Sequence, residues 1–261
     1  MKFAYVNGER VEPSKGAKGV CSTCGSEVIA RCGEIRIHHW AHKGSRHCDA
    51  WWENEKDWHR EWKNQFPFEW QEIIHSDQKG ERHIADVKTE HGLVVEFQHS
   101  HIDWKEQTER ERFYGNMIWV VDGTRLKRDL ARFLKGKARF RQTRDQGMFE
   151  FDYSEEVFPM KWLNSTKHVI FDFNVNRSAD NHQQSFNFLV CLFPKTSIRE
   201  RYVAYLTKES FIMNIKSGKW FSQQKTEPAK TEQAITVNRP TPKRSSGYVL
   251  HKGRMVKRRR W

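Results

Sequence analysis

The stretch Arg82-His83-Ile84-Ala85-Asp86-Val87, followed by Gly92-Leu93-Val94-Val95-Glu96-Phe97-Gln98, constrains this chain more than any other. Two short runs rich in β-branched residues flank Thr89-Glu90-His91-Gly92. A glycine there takes positive φ without penalty, so the pattern predicts a β-hairpin. Each run sets one carboxylate among apolar neighbours: Asp86 between Ala85 and Val87, Glu96 between Val95 and Phe97. Strands favour Val and Ile over Asp and Glu, so both acids go against local propensity, as residues kept for chemistry do. Across a hairpin the two fall opposite or diagonal, about 5–8 Å apart. Carboxylates that close repel one another unless a divalent cation stands between them.

The surrounding segments give this hairpin a setting. Residues 51–66 read as a helix stopped by Pro67, with Trp51, Trp52, Trp58 and Trp62 on its buried stripe. Glu55, His59 and Lys63 follow at i, i+4 and i+8, along the edge of that stripe. Trp70 to His75 reads as a strand, Asp103 to Tyr114 as a charged surface helix, and Met117 to Val121 as a buried strand. The order is helix, three strands, helix, strand, and the last connection should be a right-handed parallel crossover.

Upstream, Cys21-Ser22-Thr23-Cys24-Gly25 offers two thiolates at knuckle spacing, and His39-Trp40-Ala41-His42 and Cys48 return about fifteen residues later. Tetrahedral zinc needs four ligands of this kind. Five candidates compete, and Cys21, Cys24, His42 and Cys48 are favoured, with His39 as the substitute; Cys32 is a further thiol expected to pack beside the site. No catalytic base stands over an open position, so the zinc is expected to be structural. The sequence has five cysteines, four of them among histidines, which suits a metal in a reducing compartment better than a disulfide framework. With no apolar signal segment at the N-terminus, a cytoplasmic protein without a membrane partner is expected.

These motifs together resemble a family. Cys21-x-x-Cys24, His39-Trp-Ala-His42, Glu55-x-x-x-His59-x-x-x-Lys63, Ala85-Asp86-Val87, Glu96-Phe97-Gln98-x-Ser100 and Arg110-x-Arg112-x-Tyr114 resemble the competence protein CoiA family, with its nuclease-like core of the PD-(D/E)xK type. The resemblance implies a mixed α/β (α+β) restriction-endonuclease-like core that handles DNA. By position, Asp86 and Glu96 would hold Mg²⁺ or Mn²⁺, with Glu55 completing the site and the Phe97 carbonyl as a further ligand. Gln98 stands where many such nucleases carry Lys; it can orient water but supplies no positive charge, which Lys63 or His59 would then provide. The implied activity is metal-dependent phosphodiester hydrolysis. The alternative is a non-catalytic nucleic-acid-binding adaptor on a degenerate nuclease core.

The formal net charge of +13 is unevenly spread. From Gln223 to Trp261 there are eleven Lys/Arg against two Glu, so a polyanionic partner, nucleic acid and in particular DNA, is the natural expectation. Arg110 and Arg112 are expected to contact phosphates, as are Lys257, Arg258, Arg259 and Arg260. His99 and His101, flanking Ser100, are expected to support the site or touch phosphate. The expected organisation is a zinc-knuckle-like region at 1–50, the nuclease-like core at 51–124, an accessory α+β region at 125–222 and a disordered basic tail at 223–261. Large apolar residues thin out in that tail, so burial would not offset its chain entropy.

Overall fold

The computed structural model describes residues 1–44, 48–52, 55–152, 154–173, 188–195, 201–220, 248–251 and 254–257. It divides into one unit spanning Met1–Gln223 and a second spanning Gln224–Trp261. No helix among the described residues is long and apolar enough to cross a membrane.

The first unit holds two sheets. The smaller, at the N-terminus, has β1 (Ala4–Val6), β2 (Glu9–Val11), β3 (Lys18–Val20), β4 (Glu27–Arg31) and β5 (His39–His42) in the antiparallel order β2-β1-β3-β4-β5. Its core is small, with Ala4, Cys21, Val28 and Trp40 buried. The buried Trp40 indole donates to the Val11 carbonyl at 3.0 Å.

The larger sheet follows α1 (Asp57–Lys63) with β6 (Gln71–Ser76), β7 (Arg82–Lys88), β8 (Val94–Gln98), α2 (Trp104–Tyr114) and β9 (Met117–Asp122). This is the expected order of helix, three strands, helix and strand, and β8 and β9 are parallel. Next come α3 (Lys127–Gly136), β10 (Arg141–Gln142), β11 (Met148–Phe151), α4 (Met160–Leu163), β12 (His168–Asp172), β13 (Phe188–Leu192), β14 (Arg201–Thr207) and α5 (Lys208–Lys216). The nine strands form one sheet, β10-β11-β14-β13-β12-β9-β8-β7-β6. The strands of 125–222 therefore extend the core's own sheet, joined through β12 running parallel to β9.

Alternate residues along the strands bury opposite faces, as the two-residue pleat requires. Val94, Trp119, Val121, Val169 and Phe171 pack on one face with Phe133 of α3 and Trp162 of α4. Val95, Phe97, Ile118, Val120 and Ile170 pack on the other with Trp62 of α1 and Phe211 of α5. The layers are helix, sheet, helix. α2 is less of a surface helix than expected: Gln107, Arg110 and Glu111 are buried, and Glu111 accepts from the Trp119 indole at 3.1 Å.

Two expectations change. Asp57, rather than Trp51, begins α1. Asp49 accepts the Trp51 N–H at 2.9 Å, and its carboxylate also binds His83 and the Ile84 N–H, each at 2.8 Å. That carboxylate ties the segment to β7, and a helix started at Trp51 would break the link. The second change is in the basic tail. There β15 (Tyr248–His251) and β16 (Arg254–Lys257) pair antiparallel, Tyr248 against Lys257 and His251 against Arg254. Val249, Leu250 and Val256 supply the β-branched and apolar residues that these two strands favour. The remainder of the tail, Arg258, Arg259 and Arg260 included, lies outside the described residues.

Candidate active site and metal centre

The zinc expectation resolves to four of its five candidates. Cys21 follows β3, and the Gly25 N–H donates back to the Cys21 carbonyl at 3.0 Å, folding the knuckle that turns Cys24 toward β5. The ligand atoms of Cys21, Cys24, His42 and Cys48 all lie within 4.8 Å of one another. Cys21 Sγ and Cys48 Sγ are 3.6 Å apart, and Cys24 Sγ is 3.3 Å from His42 Nε2. A tetrahedron with Zn–S of about 2.3 Å and Zn–N of about 2.0 Å has edges of about 3.5–3.8 Å, so this donor set fits zinc. His39 and His42 are three residues apart on one strand and so project to opposite faces. The His39 imidazole instead makes a 2.9 Å hydrogen bond to the Ile37 carbonyl. Cys32 is also outside the group. Four protein ligands leave no open position, which suits a structural ion that supplements the small core.

The second site lies where the hairpin opens. The β7–β8 ladder pairs Val87 with Val95 and Lys88 with Val94, then stops. One step further, Asp86 faces Glu96, and the carboxylates replace the ladder: Asp86 Oδ2 accepts the Phe97 N–H at 3.0 Å and Glu96 Oε1 accepts the Asp86 N–H at 3.1 Å. Ala85 packs on the α2 face while Val87, two residues on, packs on the α1 face, so the strand bends at Asp86. β6 is interrupted at the same level. Its ladder to β7 joins Gln71 to Val87 and Ile73 to Ala85, skipping Glu72 opposite Asp86. Glu72 has φ +46, a conformation that costs a non-glycine residue energy and that clusters at functional sites. Glu72, Asp86 and Glu96 thus stand in a row across three adjacent strands.

Cations from the helices meet this row. The almost fully buried Lys63 places Nζ 2.7 Å from Glu55, 2.7 Å from Glu72 and 3.9 Å from Asp86. His59 Nε2 is 2.8 Å from Asp86 Oδ1. Arg110, from α2, is 3.0 Å from Glu96 Oε2 and also donates to the Trp51 carbonyl and Glu106. Glu72 also accepts the Lys2 and Phe3 N–H groups at 2.8–3.2 Å, which anchors the N-terminal sheet to β6. A cavity of about 70 Å³ is lined by Glu55, His59, Lys63, Asp86, Glu96 and Arg110 among others.

The charges shift one another. Burial alone would raise the Asp86 carboxyl, but His59, Lys63 and the Phe97 N–H outweigh it and hold the group below the usual carboxylate range. Burial and the neighbouring Asp86 charge push Glu96 up to about 8, and Arg110 opposes the shift without cancelling it. The 3.0 Å contact of Arg110 with Glu96 therefore does not by itself keep Glu96 charged. The two acids are coupled: charge on Asp86, together with burial, disfavours charge on Glu96. Burial also weighs against ionising Glu55 and Glu72, yet Lys63 lies first among the charges holding both low.

Several expected site residues sit elsewhere than their motifs suggest. Glu55 precedes α1 and gives its carboxylate to Arg60, at 3.0 and 2.6 Å, and to Lys63; the cations it pairs with make it a poor third metal ligand. Among the described residues, only the Cys/His cluster gathers three or more potential metal ligands. Asp86 and Glu96 stand as two facing carboxylates whose oxygens are held by His59, Arg110 and backbone N–H groups, and Glu55 does not join them. Arg110 is buried in ion pairs and is not a surface phosphate contact, because its partner Glu96 lies beneath it in the sheet. Arg112 is exposed on α2. Gln98 points two residues beyond Glu96 into a different cavity, its amide 3.3 Å from the Ser100 hydroxyl and carbonyl. His99 pairs with Asp122 at 2.7 Å. Lys257 ends β16. Sequence reasoning missed Glu72, although an acid between Gln71 and Ile73 carries the same signal as Asp86 does.

No curated protein and no solved structure matches the chain. Residues 9–50 match the family described as competence protein CoiA, N-terminal domain. That match covers most of the small sheet and its Cys/His cluster, so this N-terminal region is similar to the N-terminal domain of competence protein CoiA.

Proposed function

We propose that this competence-related protein is a metal-dependent phosphodiesterase, a nuclease or DNA-processing factor, working at Asp86 and Glu96. The carrying observation is the opened hairpin, where two facing carboxylates border a cavity that also presents His59, Lys63 and Arg110. Hard divalent cations such as Mg²⁺ or Mn²⁺ take oxygen ligands and are often bound by one or two carboxylates with water and substrate phosphate. Asp86 and Glu96 would hold such an ion, whose chemistry is to polarise a phosphoryl group and acidify a bound water. The oxygens available to it now face His59 and Arg110. The chain's own contribution is positioning: backbone N–H groups fix one oxygen of each acid, and His59 orients Asp86. Lys63 supplies the fixed positive charge that Gln98 lacks: burial works to lower its pKa, but Glu72, Glu55 and Asp86 outweigh burial and hold it above the ordinary lysine value.

The test is cleavage of end-labelled single- and double-stranded DNA with Mg²⁺, Mn²⁺ or EDTA, comparing the native chain with Asp86→Asn. Metal-dependent cleavage lost in a folded variant supports the reading, and equal cleavage by the variant sinks it. The adaptor reading has one observation in its favour: Lys63, His59 and Arg110 already contact the acids without any ion. Salt-sensitive DNA binding without cleavage under any metal would select it.

A further inference from the structure

The hairpin that carries the acid pair is a fork, and the segment directly after Cys48 fills it. Along β7 alternate N–H groups point to opposite sides, toward β6 and toward β8. N-terminal to Val87 the β8 partner has left, so the Asp86 and Ile84 N–H groups face the gap. Buried N–H groups need acceptors. Glu96 takes the first at 3.1 Å and Asp49 Oδ2 takes the second at 2.8 Å. Asp49 is buried, and its Oδ1 also accepts the Trp51 N–H at 2.9 Å and lies 2.8 Å from His83 Nδ1. The Trp51 ring stacks on His83 with centroids 3.3 Å apart and meets Phe113 and Tyr114 of α2 edge-on at 5.3 and 5.9 Å. Its carbonyl accepts from Arg110 at 2.8 Å. Residues 49–52 thus form a wedge with two grips. One holds β7 two residues from Asp86; the other holds Arg110, which pairs with Glu96 at 3.0 Å. Asp49, Trp51 and Trp52 line the same cavity as both acids.

Cys48, one residue before Asp49, belongs to the cluster that fits zinc. We infer that Asp49 is a positioning residue that couples this cluster to the acid pair: with Cys48 anchored by the ion, the wedge stays in the fork and fixes Asp86 through β7 and Glu96 through Arg110. The small sheet has a core of only four buried residues, so the ion is what holds Cys48 in place. Its loss frees the wedge to leave the fork, and the Ile84 N–H then loses its acceptor. This route enters the acid row through β7, apart from the link of Glu72 on β6 to the Lys2 and Phe3 N–H groups. That the chemistry so regulated is phosphodiester cleavage rests on the reading above; the coupling itself does not.

The experiment is residue-resolved amide exchange by mass spectrometry on the full zinc-loaded chain, with and without 1,10-phenanthroline, for native protein, Asp49→Ala and Asp49→Asn. Atomic absorption gives the zinc content of each sample. Chelation of the native chain should speed exchange at Ile84 and Asp86 about ten-fold, the effect of losing one buried hydrogen bond. Asp49→Ala should show the same rise with its zinc still bound, and chelation should add little to it at these two amides. Asp49→Asn keeps one carbonyl oxygen for the Ile84 N–H and should lie between native and Asp49→Ala. Chelation that exposes the N-terminal strands but leaves Ile84 and Asp86 protected would overturn the coupling, and that arm needs no variant to fold. Full additivity of chelation and Asp49→Ala would overturn it too, since only independent effects add. Where the chain cleaves DNA, zinc-loaded Asp49→Ala should lose about ten-fold in kcat with KM near native, because the acids are misplaced rather than removed. An unchanged kcat in that variant would overturn the positioning role. Coupling in a protein that cleaves nothing keeps this inference and sinks the phosphodiesterase reading; metal-dependent cleavage without coupling does the reverse.

Discussion

Asp86 and Glu96 each accept a backbone N–H at the point where their two strands part, Asp86 from Phe97 at 3.0 Å and Glu96 from Asp86 itself at 3.1 Å. The carboxylates stand in for the missing ladder bonds, so structure and proposed chemistry draw on the same atoms. Different substitutions separate the two roles. Asp86→Asn keeps an oxygen for the Phe97 N–H but loses the charge; it should melt close to native while cleavage disappears. Asp86→Ala leaves that N–H without its acceptor and should cost about 1–3 kcal/mol as well. Urea unfolding beside the cleavage assay reads both. Full cleavage by the Asn variant would remove Asp86 from the reaction.

The raised value at Glu96, about 8 against an ordinary 4.5, gives stability a defined pH dependence. The folded state then binds more protons than the unfolded state between those values. Glu96 therefore contributes its full stability below about pH 4.5 and loses it as pH rises through about 8. Asp86, held low, works in the opposite sense: its contribution is present above the ordinary carboxylate value and is lost in acid. Glu96→Gln should flatten the decline on the alkaline side, and the urea midpoint measured from pH 5 to 9 checks this. A divalent ion between the acids favours both charged forms, so in native protein Mg²⁺ or Mn²⁺ should raise the midpoint most near pH 8. An unchanged midpoint would speak against a cation there.

How much of this was legible in the sequence depends on whether a signal was local. The Asp86/Glu96 hairpin was readable because acids amid Val and Phe stand out over a few residues, and the zinc group because knuckle spacing is local. Glu55 was misplaced because the Trp stripe continues past the point where Asp49 ties the chain to β7 through His83 and Ile84. The continuity of the nine-stranded sheet was not readable, since the pairing of β12 with β9 joins residues about fifty positions apart. The wedge at 49–52 was hidden for the same reason: Asp49, Ile84 and Arg110 come from separate segments that only the fork brings together.

Lys63 is the internal counter-ion of the acid row. It is only 2% exposed and lies within 2.7 Å of both Glu55 and Glu72. Lys63→Met keeps most of the side-chain volume but leaves these buried carboxylates without their shared cation, a loss that typically costs about 3–5 kcal/mol. Unfolding in urea should show a drop of that order near neutral pH, narrowing as acid protonates the orphaned carboxylates. A stability equal to native would show that Arg60 alone neutralises Glu55.

The zinc group makes a prediction that separates two histidines on one strand. His42 Nε2 is 3.3 Å from Cys24 Sγ, whereas the His39 imidazole is engaged with the Ile37 carbonyl. Purified protein should carry one zinc per chain; His42→Ala or Cys24→Ser should lose it, and His39→Ala should retain it. Because the four-residue core of the small sheet buries so little, the ion's binding energy is also folding energy for that sheet. Chelation should therefore expose the N-terminal strands to amide exchange ahead of the larger sheet. Glu72 accepts the Lys2 and Phe3 N–H groups, so loosening those strands also removes two of the donors that hold Glu72 beside Asp86. Zinc removal should then weaken any activity at Asp86 and Glu96 without touching either residue. Zinc content by atomic absorption and exchange measured by mass spectrometry decide both points; retention of zinc by His42→Ala would refute the assigned ligand set.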